Sequence, residues 1–150
     1  MPNFFQFESD FVESLRCIPM QVRLKLDTCG IKLKLQQWNQ FTQDDRLKLV
    51  ELPCETESEI QAYRKFLCKL VQQRTGAIAS ELAIDPQPPW LDATTIPQDV
   101  STKAAAVEVN LTLEQWASLT PLQRFALLKL SRSGHENHNF VPALREFQLI

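Results

Sequence analysis

The sequence predicts a mainly α fold. We expect a single domain over residues 1–150, of about eight or nine short helices, with at most a minimal β pairing. Its source would be an internal duplication with pseudo-two-fold symmetry. Three observations predict this. Glycine is scarce, at 3 residues, and leucine abundant, which favours helices over hairpin-rich sheets. Helix-start signatures precede apolar stripes, as in Thr56-Glu57-Ser58-Glu59. A repeat is visible as well. Ile18–Leu52 aligns with Ile96–Leu130 at an offset of 78 without a gap, and 12 of 35 positions are identical. Average residue usage would give roughly two or three.

The repeats extend over residues 18–73 and 96–148, joined by a linker at 77–95. Each begins with a proline, Pro19 or Pro97, suited to the first turn of a helix. In the first copy that helix runs to Cys29 and ends at Gly30, a residue that readily takes the left-handed conformation after a helix. Next come Ile31–Leu35 and Val109–Leu113, both alternating apolar and polar, the extended period. They are candidates to pair with each other. Trp38 and Trp116 are expected in a short turn, each packing beneath the following helix as an anchor. Thr42 and Thr120 then serve as N-caps, with Pro121 at the first helical position. Gln123 completes a capping box with Thr120, and Asp45 is the weaker counterpart for Thr42. Leu47, Leu49 and Val50, and likewise Phe125, Leu127 and Leu128, follow on helical spacing. Arg46 and Arg124 are shared too, and with the tryptophans and threonines they are assigned as structural anchors.

The capping box at Thr56 opens a helix over Glu57–Gln73. Ile60, Tyr63, Leu67, Leu70 and Val71 form its apolar stripe, and Gly76 ends it. The corresponding stretch of the second copy is Phe140–Phe147, where Phe140, Leu144 and Phe147 repeat the stripe. In the linker, Asp85-Pro86-Gln87-Pro88-Pro89-Trp90 cannot be helical through its prolines. It is either a strap with Trp90 tucked in or a docking element. At the N-terminus Phe4, Phe5, Phe7 and Phe11 crowd together, and Ser9–Leu15 fits an amphipathic helix. This segment either closes the core or offers an apolar patch to a partner.

The net charge of −2 lowers the expectation of nucleic-acid binding, which needs a positive face. Leu113–Leu130 could pass for a helix-turn-helix, but Leu, Phe and Ala dominate where a reader helix needs polar side chains. The N-terminus lacks the pattern of a signal peptide, and no apolar run approaches the ~20 residues that span a bilayer. A cytoplasmic protein with reduced thiols is expected. Cys17, Cys29, Cys54 and Cys68 have no Cys-x-x-Cys spacing. His135 and His138 would share a helix face as metal ligands, yet they stand in a polar stretch with Glu136 and Asn137 that reads equally as a recognition loop. No phosphate cradle or nucleophile motif is present, and carboxylate pairs such as Asp44/Asp45 lie at helix starts. No catalytic residue, cofactor or metal is assigned from the residues.

Several strings give a more specific lead. They are Phe4-Phe5-Gln6-Phe7-Glu8, Leu15-Arg16-Cys17-Ile18-Pro19-Met20, Lys25-Leu26-Asp27-Thr28-Cys29-Gly30 and Glu51-Leu52-Pro53-Cys54. Leu113-Glu114-Gln115-Trp116, Leu119-Thr120-Pro121-Leu122-Gln123-Arg124-Phe125 and Gly134-His135-Glu136-Asn137 through Phe140 continue them. With these strings the chain closely resembles the cyanobacterial nitrate reductase-associated protein family over nearly its whole length. The resemblance implies a place in nitrate assimilation, beside genes for nitrate assimilation and molybdopterin synthesis, and a need for the chain in active nitrate reductase. It assigns no catalytic or binding residues. The implied function is a non-catalytic accessory or maturation protein, chaperone-like, with nitrate reductase, a molybdenum and iron–sulfur enzyme, as its protein partner. Trp90, His135, Glu136, Asn137 and His138 are the candidate contact residues. The alternatives are a Cys/His-based metal or cofactor carrier, and a DNA-binding regulator of nitrogen-assimilation genes.

Overall fold

The computed structural model describes residues 4–8, 15–132 and 139–150. Among them are eight α-helices and one antiparallel pair of two-residue strands, so the chain is mainly α with a minimal sheet. The helices are α1 (Met20–Cys29), α2 (Leu35–Asn39), α3 (Gln43–Glu51), α4 (Glu57–Thr75), α5 (Gln98–Ala106), α6 (Leu113–Ser118), α7 (Pro121–Arg132) and α8 (Phe140–Glu146). The strands are β1 (Ile31–Lys32) and β2 (Ser80–Glu81). No helix among the described residues is long and apolar enough to cross a membrane.

The chain divides into two compact units. One holds Phe4 and the described residues up to Ile84; the other holds Phe5–Glu8 and the described residues from Asp85 onward. The boundary falls inside the stretch expected to be a linker. That stretch is not free chain, because each half packs in its own unit.

In the first unit α1, α2 and α3 pack on the long helix α4. Thr56 and Glu59 form the expected capping box: the Glu59 carboxylate accepts the Thr56 N–H at 2.9 Å, and the Thr56 hydroxyl accepts the Glu59 N–H at 3.2 Å. Tyr63, Leu67, Leu70 and Val71 are buried, joining Val22, Leu26, Trp38 and Leu49 in one cluster. The helix runs two residues past the expected Gln73 and ends at Gly76, with φ +74°. Pro19 and Pro97 stand one position before their helices, as N-caps.

The expected pairing of Ile31–Leu35 with Val109–Leu113 does not occur. Ile31 and Lys32 pair with Glu81 and Ser80, whereas Leu35 and Leu113 each open a helix. Alternation over five residues is too short to fix a strand against a helix start. Trp38 and Trp116 accordingly lie on helices α2 and α6, not in turns.

In the second unit α7 packs against α5, α8 and the 3-10 turn Pro89–Leu91. Phe125, Leu127, Leu128 and Leu130 of α7 are fully buried. Phe5 and Phe7 stack at 5.2 Å and meet the Phe147 ring edge-on, and the Phe7 N–H donates to Glu146 at 3.0 Å. These two N-terminal phenylalanines thus close the unit around α8. Phe11 and the expected helix over Ser9–Leu15 lie outside the described residues except for Leu15, which is buried.

Candidate functional site

The six predicted anchors form two matching sets of hydrogen bonds. In the first unit the Trp38 indole N–H donates to the Leu15 carbonyl at 2.7 Å; in the second, Trp116 donates to Asp92 at 2.9 Å. Both rings are fully buried. Thr42 caps α3 through the Asp45 amide, and the Thr120 hydroxyl accepts the Gln123 amide at 3.2 Å. The Arg46 guanidinium donates to the carbonyls of Trp38 and Asn39. Arg124 donates to those of Trp90, Trp116, Ala117 and Leu119. The tryptophans tie each short helix to an upstream segment, the arginines tie it to the helix after it, and all of these donors serve packing. Arg124 in particular is not free to reach a nucleic-acid base.

Trp90 is only 9 % exposed and meets Phe125 edge-on at 5.0 Å. What this strap turns outward is Leu91, 60 % exposed. His135, Glu136, Asn137 and His138 lie outside the described residues.

The cysteines are all free. Burial pushes the Cys29 thiol up to about 12 and the Cys54 thiol up to about 11. Their sulfurs face the carbonyls of Leu26 and Lys25 in α1. Metal ligation needs thiolates, which this setting disfavours. No group of three or more His, Cys, Asp or Glu among the described residues is placed to hold a metal ion. Nearby, the Lys25 ammonium donates to the carbonyls of Val50 and Leu52 at 2.6 Å each, at the end of α3. Burial also lowers its pKa below the usual lysine value.

One recess of the first unit lies outside the sequence expectations. It is an open cleft of about 370 Å³ between α4 and the strand region. Arg64, Cys68 and Gln72 recur every four residues and so share one face of α4, which flanks the buried stripe. Lys69 stands beside them. The other wall is Ile78, Ala79 and Glu81, with Ile31 also in the lining. Arg64 is the joint between the two walls. Its guanidinium donates to the carbonyls of Cys29 and Gly30 at 2.7 and 3.2 Å, capping the end of α1, and to the Glu81 carboxylate at 2.8 Å. Gly30 takes φ +78°, and its carbonyl accepts the Leu82 N–H at 2.8 Å. A Cβ there would stand 2.7 Å from the Ile84 side chain and 3.0 Å from the Leu82 carbonyl. Only glycine lets residues 82–84 lie this close. The sequence signal for the cleft was slight: a glycine after α1 and a helix face whose last four turns lack acidic residues.

The model of the conserved nitrate reductase-associated protein family matches residues 4–147, which takes in both units and the cleft. No curated protein and no solved structure matches the chain. With the family model covering nearly the whole sequence, the chain belongs to the conserved nitrate reductase-associated protein family.

Proposed function

We propose that this chain is a non-catalytic accessory protein, at work in the cytoplasm, that binds nitrate reductase and supports its assembly or activity. The observation that carries this reading is the family match over residues 4–147, whose description names association with the reductase. The chemistry of the described side chains supports it. Arg64, Arg124 and Lys25 hold backbone carbonyls, and the two buried thiols are kept protonated. These groups position helices; they are not arranged as an acid, a base and a nucleophile around one reacting centre.

We also read the two units as copies of one repeat. Support comes from matching bonds at positions 78 apart, Trp38/Trp116 and Arg46/Arg124. Gly30 and Glu108, again 78 apart, are both left-handed, with φ 78° and 61°. The copies differ in the cleft, since β2 follows only the first. His135, Glu136, Asn137 and His138 remain contact residues nominated by sequence.

Retrieval of the tagged chain after chemical cross-linking in cells that express the reductase tests the reading. The reductase is expected in the retrieved material, and its molybdenum and iron content then tells which form is held. A chain that never carries the reductase, even cross-linked, is not its accessory protein.

A further inference from the structure

We infer that the cleft between α4 and residues 78–81 is a docking groove for an acidic segment of a protein partner, one that also inserts an apolar side chain. The inference rests on the reading above only in taking the partner to be the reductase.

Three observations define the occupant. The first is charge. From Ile60 to Thr75, α4 carries Arg64, Lys65, Lys69 and Arg74 and no acidic residue, in a chain whose net charge is −2. Arg74 is neutralised by Asp45 at 2.8 Å and Arg64 by Glu81. Lys69, in the groove lining, and Lys65, one turn before it on α4, are exposed and have no carboxylate partner among the described residues, so they leave the groove and its edge positive. The second is apolar surface. Ile78, at the lip of the groove, is 88 % exposed, more than any other large apolar side chain among the described residues. Half-buried Ala79 continues the apolar lining, with the buried Ile31 beneath it. An isolated exposed isoleucine is ordinary, but one at the lip of a concave, part-apolar, positively flanked recess is complementary to a defined ligand. The third is rigidity. Gly30, Arg64 and the β1–β2 pair fix the two walls relative to each other, so the groove is preformed and binding does not have to order it. The apolar lining favours a protein segment over a nucleic acid, whose backbone would meet Ile78 with no gain.

The test uses the full chain and three variants, K65E/K69E, I78D and K65R/K69R. All three alter exposed side chains, and circular dichroism checks that each variant folds. The probes are purified nitrate reductase and a synthetic peptide of aspartate and glutamate with one central leucine. Wild type and K65R/K69R should bind the reductase alike, and K65E/K69E should bind it about tenfold more weakly. Raising salt from about 0.05 to about 0.5 M should weaken wild-type binding in the same way. I78D should weaken binding too. The peptide should shift amide resonances of residues 64–72 and 78–81 in an NMR titration. Reductase binding that neither K65E/K69E nor I78D changes would overturn the groove while leaving the accessory reading intact. If the reductase does not bind at all, that reading fails, and the peptide alone decides: no shifts in the groove then overturn the inference as well. Self-association abolished by I78D, or duplex DNA binding abolished by K65E/K69E, would assign the groove to another occupant and equally overturn it.

Discussion

The Arg124 guanidinium donates to the Trp90 carbonyl at 2.7 Å while remaining only 6 % exposed itself. Its other hydrogen bonds go to the carbonyls of Trp116, Ala117 and Leu119, so a buried cation is held by backbone dipoles, with the Asp92 carboxylate near enough to feel its charge. Arg46, 78 positions earlier, makes the same kind of bond to Trp38 and Asn39 from a half-buried site. Removing Arg124 would leave buried carbonyls without donors, so R124A should cost about 2–4 kcal/mol and R46A about 1 kcal/mol. Urea unfolding of both variants measures the difference. Equal losses would mean that burial does not set the strength of these junctions.

The Asp45 carboxylate should make part of the stability of α3 pH-dependent. Burial opposes its ionisation, but Arg74, the Thr42 amide and the Thr42 hydroxyl outweigh this and hold its pKa below the usual carboxylate value. A group whose pKa is lower folded than unfolded stabilises the fold above its unfolded pKa, near 3.9, and loses that contribution as pH falls through the folded value. D45N should therefore destabilise at pH 7, by about 1–2 kcal/mol for the cap and the pair together. The penalty should shrink as the pH is lowered below about 4. Melting curves of D45N and wild type that run parallel from pH 7 to pH 3 would contradict this.

Gly30 and Glu108 make a reciprocal pair of tests. Both are left-handed, but only Gly30 is a residue for which that conformation is free of strain. G30A should cost more than about 1 kcal/mol, from the left-handed backbone and from the Ile84 side chain 2.7 Å from the new Cβ. E108G should stabilise by up to about 1 kcal/mol, since it relieves the same strain. Thermal unfolding of the two variants reads both signs. A stabilising G30A would show that residues 82–84 are not held as described.

The thiols should divide into two pairs. Cys17 and Cys68 are half-buried, whereas Cys29 and Cys54 are buried, with thiols pushed up to about 12 and about 11. At pH 8 the thiolate fraction of Cys29 is then roughly one in ten thousand. Iodoacetamide on the native protein, followed by mass spectrometry, should give two early adducts, with the other two only after unfolding. Early labelling at Cys29 would contradict the burial.

Much of the fold was legible because its determinants are local. Thr42, Thr56 and Thr120 with their partners three residues on, the stripe from Tyr63 to Val71, and Gly30 and Gly76 after their helices all act within a turn or two of chain. The cleft was not legible, because β1 and β2 pair across 48 or more positions and each has only two residues. No periodicity survives in so short a strand. The burial of Arg124 was also hidden, since an arginine on a helix is ordinarily exposed. Its recurrence at Arg46 was the one available signal, and it marked both residues as anchors without saying what they hold. Trp90 was expected to be tucked in or to dock, and its ring is tucked against Phe125.

Direct binding to nitrate reductase is what the proposed accessory role requires. Calorimetric titration of the purified chain into purified reductase tests it most simply. Saturable binding is expected, and it should persist when Cys29 and Cys54 are both replaced by alanine, provided the variant folds, because those thiols serve the core alone. The absence of any binding heat at chain concentrations up to about 100 μM, well above the range expected for a specific interface, would contradict it.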